Sequence, residues 1–393
     1  MISVTAARRI LSENSERLEK TTVSLQKSRG RILAKDIHSP IDVPSFDNSA
    51  MDGYAMNFDG KWNEWELEGV IQAGDTSLIE VKTGKAVRIF TGAKIPAGAD
   101  TVIQQELIER NEEAGSITYQ QDKIKKGSNV RLKGSQCKKG GLILKKGTLI
   151  TPGAIGLLAS VGVAEVKIYI PATVGYIITG DELKEVGTSL KDGEIYNSNG
   201  PMLQALLADI GIEKVVEYKA IDDKIELQKK IDEALEKHDV LLLSGGISVG
   251  DYDFVKECLA NAGIEELFYK LKQRPGKPLF AGKRGEKWIF ALPGNPASVL
   301  SCFNQYVKPC LKFMMGHGEV WKPDRVLELE NDYPKKPGFT FFLKGMAEGD
   351  RLSILEGQQS FNLQAFSTAN CLVELDEESE IVRAGTPVKI YYL

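Results

Sequence analysis

Histidine is scarce in this 393-residue chain, occurring only at positions 38, 238 and 317. No zinc-site pattern and no Ser-His-Asp signature can be read from so few, so widely spaced. Cysteine is also sparse. The five residues Cys137, Cys258, Cys302, Cys310 and Cys371 form no CxxC pair and an odd total. That fits a reducing cytosol better than a disulfide framework. No apolar run approaches the length of a membrane span. The N-terminal stretch MISVTAARRILSENSERL carries charges every few residues, so it reads as an amphipathic helix rather than a signal peptide. The expectation is a soluble cytoplasmic protein. A basic excess is missing too: 50 Lys+Arg against 54 Asp+Glu gives a net charge of −4, which speaks against a nucleic-acid partner. A local basic pocket stays open.

What is present is an ordinary globular composition, 42% hydrophobic and 26% charged, in a chain long enough for two to four domains. Helical spacing (Val4, Ala7, Ile10, Leu11) opens it. From Ile41 to about Lys138, short runs rich in Gly, Thr, Val and Ile alternate with turns, the pattern of a small β domain. Examples are Ala86–Phe90 and Thr101–Gln104, with a hairpin tip at Asn111–Ser116. The segment from Thr148 to Gly162 reads as a strand, a Pro-initiated helix and a Gly stop.

Residues 171–315 change character. Strands over Ala172–Ile178, Lys214–Ala220, Asp239–Leu243 and Trp288–Leu292 alternate with helices over Asn199–Ile210, Asp222–Lys237, about Asp253–Ala262 and Pro296–Met315. This predicts a parallel α/β sheet with helices on both faces and a ligand at the carboxyl ends of the strands. Past Gly318 short strands return: Val326–Leu329, Phe339–Leu343, Leu352–Leu355, Cys371–Leu375 and Val388–Tyr392. They suggest a small C-terminal barrel.

Four loops of the α/β block have the look of ligand loops. SGGISVGDYD at 244–253 follows a buried strand, and its glycines let backbone N–H groups approach an anion. It is neither a P-loop nor a dinucleotide fingerprint. A tight strand-to-helix turn is an equally good reading of it. TGDEL at 179–183 offers two carboxylates for Mg²⁺ or a ribose hydroxyl, or a solvated turn. Asp222-Asp223 reads as a metal pair or, by itself, rather as a helix N-cap. LPGNPAS at 292–298 puts Pro296 at a first helical position with Ser298 beside free N–H groups. Arg274 and Lys277 flank a Pro-Gly turn, a placement that suits an oxyanion.

FDNSAMDGYA at 46–55, TGAKIPAGAD at 91–100 followed by Gln105-Glu106, and GSNVRLKG at 127–134 join TGDEL, SGGISVGDYD, RPGKP at 274–278 and LPGNPAS. Taken together, these seven motifs in order resemble the MoeA family, the molybdenum insertases also found as the E domain of gephyrin and of the plant cofactor protein. The resemblance implies an elongated multidomain α/β plus β subunit. Residues 1–40 and 139–168 would form a linker and dimerisation domain, 41–138 an inserted β domain, 169–318 a MogA-like α/β domain, and 319–393 a C-terminal β-barrel. It further implies a homodimer whose site is shared between subunits, and a Mg²⁺-dependent reaction of adenylyl-molybdopterin with molybdate that releases AMP.

Carried over, Asp52, Thr91, Glu182 and Asp253 are catalytic, and Glu182, Asp223 and Asp253 metal-holding. Ser244, Gly245, Gly246, Ser248, Gly250, Lys277, Pro278, Asn295, Ser298 and Ser360 are substrate-binding. A MogA-type adenylyltransferase is the implied partner. The chain departs from the family at Ser135-Gln136, where an acidic pair is usual, and at Arg274, where Lys is frequent. In Gly338–Lys344 only Lys344 replaces the usual arginines. These departures keep open a paralogue with reduced activity or a tungstate preference. A molybdopterin adenylyltransferase and a dimeric scaffold are rival functions that the same sequence would allow.

Overall fold

The computed structural model describes residues 1–76, 79–119, 124–221, 223–247 and 254–393. Two compact units emerge: a β unit of 22–29 and 35–167, and an α/β unit of 1–21, 30–34 and 168–393. The expected segment 41–138 lies in the first, 169–318 and 319–393 lie in the second, and 1–40 and 139–168 are divided between them.

The chain opens with helix α1 (Val4–Asn14), capped by Ser3, whose hydroxyl accepts the Ala6 N–H. Its Val4, Ala7 and Leu11 stripe is buried in the α/β unit, as the i, i+3, i+7 spacing dictates.

In the β unit, six strands form one sheet: β1 (Gly53–Met56), β2 (Glu64–Ile71), β3 (Lys85–Ile89), β4 (Thr101–Gln104), β5 (Ile108–Asn111) and β6 (Ser116–Tyr119). Their order is β4-β1-β3-β2-β6-β5, antiparallel except for the β2–β3 pair. Strand β1 is buried on both faces. Tyr54 and Met56 pack with Trp65, Ile103 and Ile117, while Ala55 packs the other way with Val87, Ile89 and Val102. The Asn111–Ser116 hairpin tip is borne out, with Asn111 opposite Ser116. Helix α2 (Pro152–Ser160) begins as its sequence predicts, with Pro at the start and the Thr151 hydroxyl accepting the Ala154 N–H.

The α/β unit is built on β7 (Val174–Thr179), β8 (Val215–Ala220), β9 (Val240–Ser244), β10 (Glu265–Tyr269), β11 (Phe280–Arg284) and β12 (Lys287–Leu292). The order is β8-β7-β9-β12-β11-β10. The first four are parallel, as expected, and β11 and β10 add an antiparallel edge that the sequence pattern does not announce. Alternating residues of the central strands feed two cores. Tyr176, Ile178, Leu242 and Phe290 meet α1, α3 (Asn199–Asp209) and the helical run α6 (Pro296–Cys302), a π-turn (Phe303–Val307) and α7 (Lys308–Met314). Ile177, Leu241, Leu243 and Ile289 meet α4 (Lys224–Lys237) and α5 (Val255–Asn261). Helices therefore cover both faces, and only the strand ends remain for a ligand.

Strands β13 (Arg325–Glu328), β14 (Thr340–Glu348), β15 (Arg351–Ile354), β16 (Cys371–Leu375) and β17 (Pro387–Tyr392) follow in the order β15-β14-β16-β17-β13. The Leu329–Leu352 bridge joins the two ends and closes the expected small barrel. Arg8 of α1 reaches into it. Its Nη1 lies 2.8 Å from Glu374 Oε2, a second nitrogen donates to Gln305, and its guanidinium covers the Tyr391 ring at 4.9 Å. The Tyr391 hydroxyl donates to the same Glu374 oxygen at 2.8 Å.

Candidate functional site

Because β7, β9 and β12 run parallel, their carboxyl ends lie side by side, with Ile178 opposite Ser244 and Ser244 opposite Leu292. The loops that leave these ends line a cleft of about 560 Å³, the size of a small-molecule site. Its walls include Glu182, Asn199, Ser244, Gly245, Gly246, Pro278 and Asn295. Gly245 and Gly246 hold φ of +101° and +59°. A Cβ on Gly245 would come 2.7 Å from the Thr179 carbonyl oxygen, so only glycine lets this turn lie against β7.

Asn199, which sequence reasoning missed, clamps the cleft floor. Its Nδ2 donates to Ser244 Oγ (3.0 Å) and to the Gly294 carbonyl (2.8 Å), joining the loops after β9 and β12. Ser244 Oγ in turn donates to the Pro293 carbonyl at 3.4 Å. The available signal was Ser198-Asn199-Gly200, polar residues opening an apolar helix.

The exposed Glu182 carboxylate folds back over Gly180, where a Cβ would come 2.8 Å from Oε2. The Ile195 N–H donates to the Glu182 carbonyl at 2.9 Å and fixes the turn. Gly180 sits at φ +140°, so Gly180→Ala both strains the backbone and displaces the carboxylate. Stability is expected to fall by about 1–2 kcal/mol in chemical unfolding; an unchanged midpoint would show that the backbone there tolerates a side chain.

A second cavity of about 440 Å³ adjoins the first and shares Pro278 and Asn295 with it. Lys277, Ser298 and Ser360 line it together with Arg274, Gln358 and Gln359. Among the described residues its wall has two cations and no carboxylate. Asn295 Nδ2 donates to Ser360 Oγ at 3.4 Å, linking the α/β loop to the barrel loop. That barrel loop is held by Lys344. The residue is 2% exposed, and its ammonium donates to the carbonyls of Gly357 (2.7 Å), Gln359 (3.1 Å) and Asn362 (2.9 Å). Burial pulls its pKa below the usual lysine range. Lys344, the one late cation of Gly338–Lys344, is a staple inside the barrel.

Asp52 and Thr91 come together in the β unit. Asp52 Oδ1 accepts from the Thr91 N–H (2.8 Å) and hydroxyl (2.7 Å), and these bonds hold its carboxyl below the usual range. Asp223 caps α4, accepting from the N–H groups of Ile225 (3.0 Å) and Glu226 (2.9 Å), and lines neither cavity. Ser248, Gly250 and Asp253 lie outside the described residues. Among the described residues no group of three or more His, Cys, Asp or Glu side chains could hold a metal. No helix among them is long and apolar enough to cross a membrane.

Comparison with known proteins matches three successive family profiles: "MoeA N-terminal region (domain I and II)" over 2–162, "Probable molybdopterin binding domain" over 175–312, and "MoeA C-terminal region (domain IV)" over 326–393. Molybdopterin molybdenumtransferase of Staphylococcus aureus is 37% identical over 396 residues, covering 98% of this chain and 94% of that protein. The Haemophilus influenzae protein of the same name is 39% identical over 376 residues, covering 94% and 92%. The crystal structure of the molybdopterin biosynthesis moeA protein from Pyrococcus horikoshii superposes with a TM-score of 0.84 at 28% identity, over 100% of both chains. By sequence across nearly its whole length and by fold, the chain belongs to the MoeA family of molybdopterin molybdenumtransferases.

Proposed function

We propose that this chain is a molybdenum insertase, which takes adenylyl-molybdopterin and molybdate and releases molybdenum cofactor and AMP. One observation carries the reading: two cavities of opposite character share a wall at Pro278 and Asn295. The glycine-floored cleft suits a phosphate-bearing ligand approached by backbone. The neighbouring cavity, with Arg274, Lys277 and the Ser298 and Ser360 hydroxyls, suits a tetrahedral dianion. A substrate spanning the shared wall would present its dithiolene to the metal oxyanion while its phosphoanhydride lies in the cleft.

In this reading Ser244, Gly245 and Gly246 cradle the phosphates, Lys277 and Ser298 hold molybdate, and Asn295 orients both. Mg²⁺ characteristically takes one or two carboxylates plus substrate phosphates, so the Glu182 carboxylate, the one carboxylate on the cleft wall among the described residues, fits it without a protein cage. When bound, the ion would neutralise charge developing on the pyrophosphate oxygens. Asp223 contributes less, because its Oδ1 is committed to capping α4. A homodimer, with Asp52 and Thr91 contributed across it, and a MogA-type supplier of the adenylate belong to the same proposal.

Incubation with adenylyl-molybdopterin, Mg²⁺ and molybdate is expected to liberate AMP. Adenylate formation from ATP and molybdopterin would instead identify an adenylyltransferase. AMP release with tungstate but not molybdate would assign the other oxyanion.

A further inference from the structure

We propose that Phe339 is a positioning residue, whose ring holds the Arg274 guanidinium in line for the oxyanion of the second cavity; the inference rests on the insertase reading. The backbone first brings the pieces together. The two-residue strand Gln273–Arg274 pairs in parallel with the start of β14, Arg274 standing opposite Phe341, and the Thr340 N–H donates to the Lys272 carbonyl at 2.9 Å. The Arg274 guanidinium then lies 5.0 Å from the Phe339 ring centre and 6.0 Å from that of Phe341. Phe341 is itself held from a second cation, since Lys335 Nζ is 5.2 Å from its ring centre. Lys335 is anchored in turn on the carbonyls of Asp376 (2.7 Å), Glu377 (3.2 Å) and Ser379 (2.8 Å).

Stacking occupies the faces of a guanidinium and leaves its N–H edge free. Among the described residues Arg274 has no carboxylate within ion-pair distance, whereas its neighbour Lys272 is taken by Glu377 at 2.6 Å. A cation that is oriented, uncommitted and on the wall of a cavity with no carboxylate among the described residues is prepared for two oxygens of a tetrahedral anion. Lys277 supplies charge without that directional fork. Arg274 is itself exposed, and a merely solubilising arginine would need neither ring.

Initial rates of AMP release with molybdate varied test this, alongside calorimetric titration of molybdate alone. Phe339→Leu keeps an apolar side chain at a half-buried position, and melting verifies its fold. It is expected to raise the KM for molybdate about tenfold, leaving kcat and the KM for adenylyl-molybdopterin within about twofold. Arg274→Lys should do the same, and the double variant should be no worse than Arg274→Lys alone. Unchanged molybdate KM in both single variants, or effects that multiply in the double, would overturn the proposal. If the wild-type chain does not turn over but binds molybdate in an Arg274-dependent way, the insertase reading fails and this inference stands. Wild-type failure to bind molybdate at all would overturn it.

Discussion

Glu182→Leu is expected to slow AMP release by a factor of about 10²–10³, the usual cost of removing one preorganised group, here the carboxylate that would hold the ion offsetting the developing charge. The side chain lies exposed on the cleft wall, folded over Gly180. Among the described residues no fold-stabilising partner is lost with it, so stability should stay within about 0.5 kcal/mol of wild type, as for other surface substitutions. Adenylyl-molybdopterin should still bind, because the cleft floor of Asn199, Ser244 and Gly245 is untouched. Single-turnover AMP release with calorimetric binding in parallel separates the two effects. Wild-type turnover by the variant would remove Glu182 from the chemistry.

Glu374→Ala is expected to have the largest effect on stability. The acid is 6% exposed and takes Arg8, Tyr391 and Lys389. Its loss leaves the largely buried Arg8 guanidinium without its counter-charge, which costs about 3–5 kcal/mol. For a unit of this size that lowers the melting transition by roughly 6–20 °C. Replacing both partners, as in Arg8→Met with Glu374→Leu, should be milder than the single change, because no charge is stranded. Burial pushes the Glu374 carboxyl upward, but Arg8, the Tyr391 hydroxyl and Lys389 outweigh it and hold the group below the usual range.

A carboxyl whose folded pKa is depressed stabilises fully above the unfolded value, near 4.5, and loses that contribution as the pH falls through the folded value. His317 acts with the same sign. Burial, then Lys312 and Arg17, push it down to about 4, so its contribution is present above the ordinary 6.5 and fades as acid is added. The wild-type chain should therefore lose stability steeply below pH 4.5, and Glu374→Ala should show a flatter acid limb there. Parallel pH profiles for the two would contradict the assignment.

The parallel core of the α/β sheet was legible because its strands are unbroken apolar runs, such as Leu241-Leu242-Leu243, bounded by glycine turns. Helix starts were legible where chemistry is local, as at Pro152 and Pro296. Strands β10 and β11 were not. Glu265-Glu266 and Gly282-Lys283-Arg284 dilute their pattern, and their strand character comes from pairing with β12 and with each other rather than from the segment itself. At the site, glycines and carboxylates announced the cleft. What they could not announce is how side chains divide the work. Asn199 binds two loops through one amide, and Lys344 turns inward to hold carbonyls. Both depend on which neighbour the fold supplies, and no spacing in the chain encodes that, whereas the helix N-cap at Asp223 was legible from its place before the helix.

The measurement that tests the insertase assignment most directly is single-turnover AMP release from enzyme loaded with adenylyl-molybdopterin and Mg²⁺, followed as molybdate is titrated in. AMP should appear only with molybdate and saturate with it, one AMP for each molybdenum bound to pterin. AMP release at the same rate without oxyanion, or none at any concentration, would contradict the account.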